Sequence, residues 1–140
     1  FIGNIKGVNF INDSKATNID AMLKAIQAAN EIKQTKDIYL ICGGDLKNQN
    51  ITSANLTEVQ KIKNAIIFGK DKEIIFKSIN KFTTCNLVSD LKEAVTHAFK
   101  MSSSGDYIML SPACSSLDMY KDYKERGNEF KKIVSDLADD

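Results

Sequence analysis

Proline occurs once in this chain (Pro112), histidine once (His97) and cysteine three times. Each shortage removes a class of function. One histidine and the widely separated Cys42, Cys85 and Cys114, with no CxxC pair, leave a zinc site or disulfide framework almost without ligands. Cysteines so few and scattered fit a reducing, cytoplasmic setting. A net charge of +1 leaves no electrostatic footprint for nucleic acid or an anionic membrane. No apolar run approaches the roughly 18–20 residues that cross a bilayer, and no signal-peptide core is present. The GxxxxGK[ST] and GxGxxG phosphate loops are missing, so the chain holds no nucleoside triphosphate in either familiar way. HExxH and GxSxG are missing too.

What remains is an alternation of short apolar runs and amphipathic stretches. The 140 residues make one domain, large enough to bury roughly 68–70% of the unfolded surface without staples. Strands are expected at Val8–Asn12, Asp37–Cys42, Asn64–Phe68, Cys85–Val88 and Tyr107–Leu110. Helices are expected at Asn18–Ala29 (Ile19, Leu23 and Ile26 inward), Ala54–Lys63 (weakly), Lys70–Ile79, Ser89–Met101 and Leu117–Leu137, the last broken near Gly127. Asp37–Cys42 is nearly continuous apolar sequence, as in a strand buried on both faces. Repeated βα units predict an α/β fold. Its form is a Rossmann-like, doubly wound, mainly parallel sheet of about five to six strands, with helices on both faces. Gly3, Asn4 and Gly7 supply turn chemistry for an N-terminal antiparallel strand against Val8–Ile11. The chain begins with Phe1 rather than Met and is expected to be a piece of something longer.

Parallel strands put their βα loops on one carboxyl edge, where ligands of open α/β sheets bind. Three loops there carry chemistry. Asn12-Asp13-Ser14-Lys15-Ala16-Thr17-Asn18 places a lysine, two hydroxyls and a carboxylate before a helix start, whose unpaired N–H groups attract anions. Gly43-Gly44-Asp45-Leu46-Lys47 joins a flexible backbone to a mobile cation. Ser111-Pro112-Ala113-Cys114-Ser115-Ser116 adds hydroxyls on a loop stiffened by proline. Singly, each has a bland reading: a turn, a solvated Lys15, helix caps worth about 1 kcal/mol. Asp13 and Asp45 read as turn residues or as a carboxylate pair, Cys114 as packing or as a reactive thiol. His97 reads as a surface or half-buried helix residue. Gly69-Lys70-Asp71 and Ser89-Asp90 read as a plain turn and cap. Together, two lysines and several hydroxyls on one edge suit a small dianion or a phosphate, each charge-assisted bond supplying roughly 1.5–3 kcal/mol.

Ile11–Asn18, the Gly43-Gly44-Asp45-x-Lys47 turn, and Leu110-Ser111-Pro112-Ala113-Cys114-Ser115-Ser116-Leu117-Asp118 with Lys121 and Arg126-Gly127-x-x-Phe130, in that order, resemble the Mur ligases. The likeness covers essentially the whole chain and is strongest to the carboxy-terminal domain of the branch that adds D-glutamate. It implies that residues 1–140 are the amino-acid-binding C-terminal domain of a three-domain, ATP-dependent enzyme of peptidoglycan synthesis. The implied partners are D-glutamate, UDP-N-acetylmuramoyl-L-alanine, ATP and the other two domains. ATP and Mg²⁺ would be held mainly by the central domain, and the isolated domain would be inactive. By motif, Thr17, Lys47, Ser116, Leu117 and Tyr123 would bind the two carboxylates of D-glutamate. Asp13 and Lys15 would face the nucleotide, Lys15 also acting on the transferring phosphoryl group. Tyr123 stands where family members often carry phenylalanine. Two other readings stay open: a folylpolyglutamate-synthase-type amino-acid ligase domain, or a non-catalytic α/β anion-binding module.

Overall fold

The computed structural model describes residues 1–139. Strand β3 (Ile38–Gly43) is buried at every position. Its side chains alternate between two cores, Ile38, Leu40 and Cys42 in one and Tyr39 and Ile41 in the other. Strand β4 (Asn64–Phe68) repeats this, with Ala65 and Ile67 on the first side and Ile66 and Phe68 on the second. Such runs mark strands covered on both faces. With β1 (Gly3–Ile5), β2 (Val8–Asn12), β5 (Thr84–Leu87) and β6 (Tyr107–Leu110) they form one sheet in the order β1-β2-β6-β3-β4-β5. Neighbours are parallel except β1 and β2, the expected antiparallel arm. Its turn has positive φ at Lys6 (52°) and Gly7 (90°), the pair that a type I′ hairpin requires. β5 is the partly exposed, polar edge strand.

Helices α1 (Ile19–Ile32) and α2 (Lys72–Ile79) contribute to the first core, α3 (Leu91–Met101) and α4 (Tyr123–Leu137) to the second. This is the expected doubly wound arrangement. In α1 the inward stripe is Ile19, Met22, Ile26 and Ala29, with Leu23 half-buried. Among the described residues no helix is long and apolar enough to cross a membrane.

Three expectations about elements are corrected. The weak helix at Ala54–Lys63 is instead two 3₁₀ turns, Ile51–Ser53 and Thr57–Lys61, neither with a side-chain cap. Leu56 (φ −104°) breaks them apart so that Ile51, Leu56, Val59 and Ile62 can all reach the first core. The final helix starts at Tyr123, not Leu117. The Ser116 carbonyl first closes a turn by accepting from the Met119 and Tyr120 amides (3.1 and 2.8 Å), and Asp122 then caps α4 through the Glu125 amide at 2.8 Å. Gly127 does not break α4; it lies inside it. The cap of α3 is Asp90, whose carboxylate accepts from the Glu93 amide at 2.8 Å.

Candidate functional site

Leu110 pairs with both Asn12 and Ile41, and Gly43 with Phe68. The loops after β2, β6, β3 and β4 therefore leave the sheet side by side. The loop after β2 turns into α1 on the first face, and the loop after β6 leads to α4 on the second. A crevice opens where neighbouring strands send their chains to opposite faces.

Backbone contacts knit these loops together. Asp45 and Ser115 exchange hydrogen bonds of 3.0 and 2.8 Å. The Gly43 amide donates to Pro112 O (3.0 Å), and the Ala113 amide donates to Ala16 O (2.9 Å). The Ser111 hydroxyl donates to Asp13 Oδ2 at 3.1 Å. The contact is too close for side chains: a Cβ on Gly44 would lie 2.5 Å from Ser115 O, and one on Gly69 2.6 Å from Gly44 Cα. The loop at Gly69–Asp71 is thus no plain turn. Asp71 Oδ2 accepts from the Leu46 amide (2.7 Å), Asp118 Oδ2 accepts from the Lys70 amide (2.9 Å), and Lys70 Nζ lies 3.6 Å from Asp45 Oδ2. A glycine directly after the apolar run Ala65–Phe68 is the signal that could have placed it at this edge.

Beneath the rim lies Arg126, wholly buried. It donates to the Ser14 hydroxyl (3.0 Å), Ser14 O (2.6 Å) and Cys114 O (3.1 Å), so it ties the first and third loops to α4. Burial draws its guanidinium down to about 10. The Ser14 hydroxyl in turn donates to Tyr123 O at 2.7 Å, and Asn12 Nδ2 donates to Gly127 O at 3.1 Å. Cys114 is buried packing, its thiol pushed up to about 12 by burial rather than activated.

Asp13, Lys15 and Tyr123 line one cleft of about 230 Å³ together with Asn12, Gly127 and Lys131. Burial raises the Asp13 carboxyl above its ordinary value, and the Ser111 hydrogen bond and Lys15 oppose that shift. Asp45 moves the other way, lowered chiefly by the hydrogen bond from the Lys47 amide (2.8 Å), with Lys70 and Lys47 adding to it. The two aspartates sit on different loops, and their carboxyls shift in opposite directions. Lys47 is exposed, and its Nζ stands 3.7 Å from Asp45 Oδ2. An exposed ion pair is worth only about 0–1 kcal/mol, so little holds this lysine to Asp45. Thr17 is exposed on the first loop, and Ser116 is buried at the third. Leu117 is exposed, and its amide is already taken by the Ser115 hydroxyl at 3.2 Å. His97 is half-buried in mid-helix on α3.

The helix start after the first loop is not an open anion site. Asn18 Oδ1 accepts from the Ala21 amide (2.8 Å), and Gln49 Oε1 accepts from the Ile19 amide (2.7 Å). Two of the first three donors are spent inside the fold. Positive charge at this edge comes from lysine side chains instead.

Several known proteins are similar to this chain. Residues 1–114 match the family model described as Mur ligase, glutamate ligase domain. The UDP-N-acetylmuramoylalanine–D-glutamate ligase of Alkaliphilus metalliredigens is 41% identical over 139 residues, covering 98% of this chain and 30% of that protein. The same-named enzyme of Caldanaerobacter subterraneus is 40% identical over 141 residues, covering 98% and 30%. The chain thus spans about a third of the length of these relatives. Two solved structures share the fold at low identity. One is a domain of a Haemophilus ducreyi protein described as a UDP-N-acetylmuramate:L-alanyl-gamma-D-glutamyl-medo-diaminopimelate ligase. It has a TM-score of 0.66 at 14% identity and covers 97% of this chain and 96% of that one. The other is a murein peptide ligase of Psychrobacter arcticus, with a TM-score of 0.67 at 11% identity, covering 99% and 29%. These likenesses show that the chain belongs to the Mur ligase family, over the part its family model describes as the glutamate ligase domain.

Proposed function

We propose that residues 1–140 are the C-terminal, amino-acid-binding domain of a three-domain cytoplasmic ligase that joins D-glutamate to UDP-N-acetylmuramoyl-L-alanine. In the reaction the γ-phosphoryl group of ATP passes to the carboxylate of the UDP-sugar peptide. The amine of D-glutamate attacks that carbonyl carbon, an amide forms, and inorganic phosphate leaves. This chain's part is to orient. Bringing the amine to about 3–3.5 Å from the acyl carbon turns an encounter into a nearly unimolecular step. Lys47, Thr17 and Ser116, with Tyr123 and the backbone at Leu117, together hold the two carboxylates of D-glutamate. For Leu117 the carboxylate must displace the Ser115 hydroxyl from its amide. Asp13 and Lys15 face the nucleotide, where Lys15 steadies charge on the transferring phosphoryl group. Among the described residues no three His, Cys, Asp or Glu side chains gather as a metal cage. The proposal gives Mg²⁺ and most of the ATP contacts to the central domain.

One observation carries this reading. Lys47 and Ser116 stand on loops locked together by the paired Asp45–Ser115 backbone bonds, so the backbones that carry a cation and a hydroxyl are held side by side on one edge. The relatives' name, with D-glutamate in it, supports the choice of amino acid. The test is Lys47→Ala in the full-length enzyme. Loss of one charge-assisted bond of about 1.5–3 kcal/mol predicts a KM for D-glutamate raised about 10–100-fold, with the KM for ATP little changed. An unchanged D-glutamate KM contradicts the assignment.

A further inference from the structure

Gln49 follows Lys47 by two residues and is none of the candidate contacts named so far. Its carboxamide is fully used. Oε1 accepts from the Ile19 amide at 2.7 Å, while Nε2 donates to Leu46 O at 3.2 Å and to Ala113 O at 2.9 Å. These atoms belong to three different segments: the start of α1, the loop after β3 and the loop after β6. Each lies beside a candidate substrate contact. Ile19 is two residues past Thr17, Leu46 immediately precedes Lys47, and Ala113 is three residues before Ser116.

The backbone at these points is held in conformations that side chains seldom adopt. Ala113 has φ +64° and Lys47 φ +56°, states that persist in non-glycine residues when the surroundings over-determine them. Ala113 is gripped at both ends, its amide by Ala16 O and its carbonyl by Gln49. The Lys47 turn is fixed by the Asp45 carboxylate on the Lys47 amide and by Leu46 O, which accepts from both the amide and the side chain of Gln49. Gln49 is the side chain that joins all three segments at once.

We propose that Gln49 is a positioning residue. It sets the distance between the Lys47 side of the rim and the Thr17–Ser116 side, and so decides whether both carboxylates of a dicarboxylate amino acid are met together. This rests on the reading of the site given above. Gln49 itself touches no substrate. A displacement of about 1 Å in such a clamp is enough to weaken binding strongly.

The test compares Gln49→Met, which keeps the length but removes all three bonds, with Gln49→Glu, which keeps the acceptor for Ile19 but repels both carbonyls. Both are made in the full-length enzyme, with Lys47→Ala in parallel, and thermal unfolding checks the fold. The expected result is a D-glutamate KM raised about tenfold in each Gln49 variant, with the ATP KM within about twofold of the parent. If Gln49→Met does not fold, Gln49→Glu alone is read against the same expectation. Lower melting temperature with an unchanged D-glutamate KM overturns the inference and leaves Gln49 a purely structural clamp. Equal rises in both KM values overturn it as well. If Lys47→Ala also leaves the D-glutamate KM unchanged, it is the site reading that fails.

Discussion

Asp13 and Arg126 show how single residues here trade stability for arrangement. Arg126 puts a guanidinium in the interior on neutral acceptors, Ser14 and Cys114, at the cost of desolvation that lowers its affinity for a proton. What it gains is a fixed relation between α4 and two loops, reaching Ser14 across 112 residues of sequence. Asp13 is similar in kind. Burial raises its carboxyl pKa, so the folded state binds the proton more tightly than the unfolded chain does. Such a group makes the fold more stable below its folded pKa, and that contribution is lost as pH rises through it. At neutral pH the charged Asp13 is therefore a burden. Asn in its place keeps an acceptor for the Ser111 hydroxyl and removes the charge. Asp13→Asn is expected to raise Tm at neutral pH, and the gain should shrink as pH falls toward the ordinary carboxyl value of 3.8. Turnover of the full-length enzyme should fall, the usual exchange at a functional site. A Tm at neutral pH equal to or below that of the parent contradicts this account.

At the scale of elements, helix α4 carries the sharpest lesson. Its glycine reads from sequence as a break, because glycine in a helix interior costs about 1 kcal/mol relative to alanine. In the fold, Gly127 instead lets α4 lie against the first loop: a Cβ there would stand 3.2 Å from Ser14 Cβ and 3.3 Å from Asn12 Nδ2. Neither neighbour is free to retreat, since Asn12 is bonded to Gly127 O and the Ser14 hydroxyl to Tyr123 O. Crowding of about 1–3 kcal/mol should exceed the propensity gain. Gly127→Ala is thus expected to be net destabilising by about 1 kcal/mol in urea unfolding, and a stabilised variant would show that the loop can yield. The parallel strands and the four α-helices were legible because continuous apolar runs and stripes at helical spacing are local signals. The 3₁₀ turns at Ile51–Ser53 and Thr57–Lys61 were not, since what shapes them is where four apolar anchors must go. The late start of α4 was missed for a related reason: the Ser116 turn and Asp122 cap outrank a helical pattern that runs on through Leu117.

For the whole molecule, the edge that gathers the loops follows from the parallel register, and a reading of the sequence could reach it. The Gly-Gly turn and the hydroxyl-rich loops marked three of its four segments. The pieces that fix their spacing could not be read in advance. Gln49 meets Ile19 and Ala113 at separations of 30 and 64 residues, and Arg126 meets Ser14 at 112, distances over which no local pattern runs. The helix start after the first loop looked like an anion site because Asn18 reads as its first residue rather than as its cap, and because Gln49, 30 residues on from Ile19, was out of view. This chain spans about a third of its relatives' length, and the proposed reaction assigns to these residues a rim of preset geometry. The most direct measurement is a crystal structure of the full-length enzyme with D-glutamate bound. The account predicts both carboxylates within hydrogen-bond reach of the set Lys47 Nζ, Thr17 and Ser116, and Gln49 still joining Ile19, Leu46 and Ala113. D-glutamate bound elsewhere, with Lys47 still turned to Asp45, would contradict it.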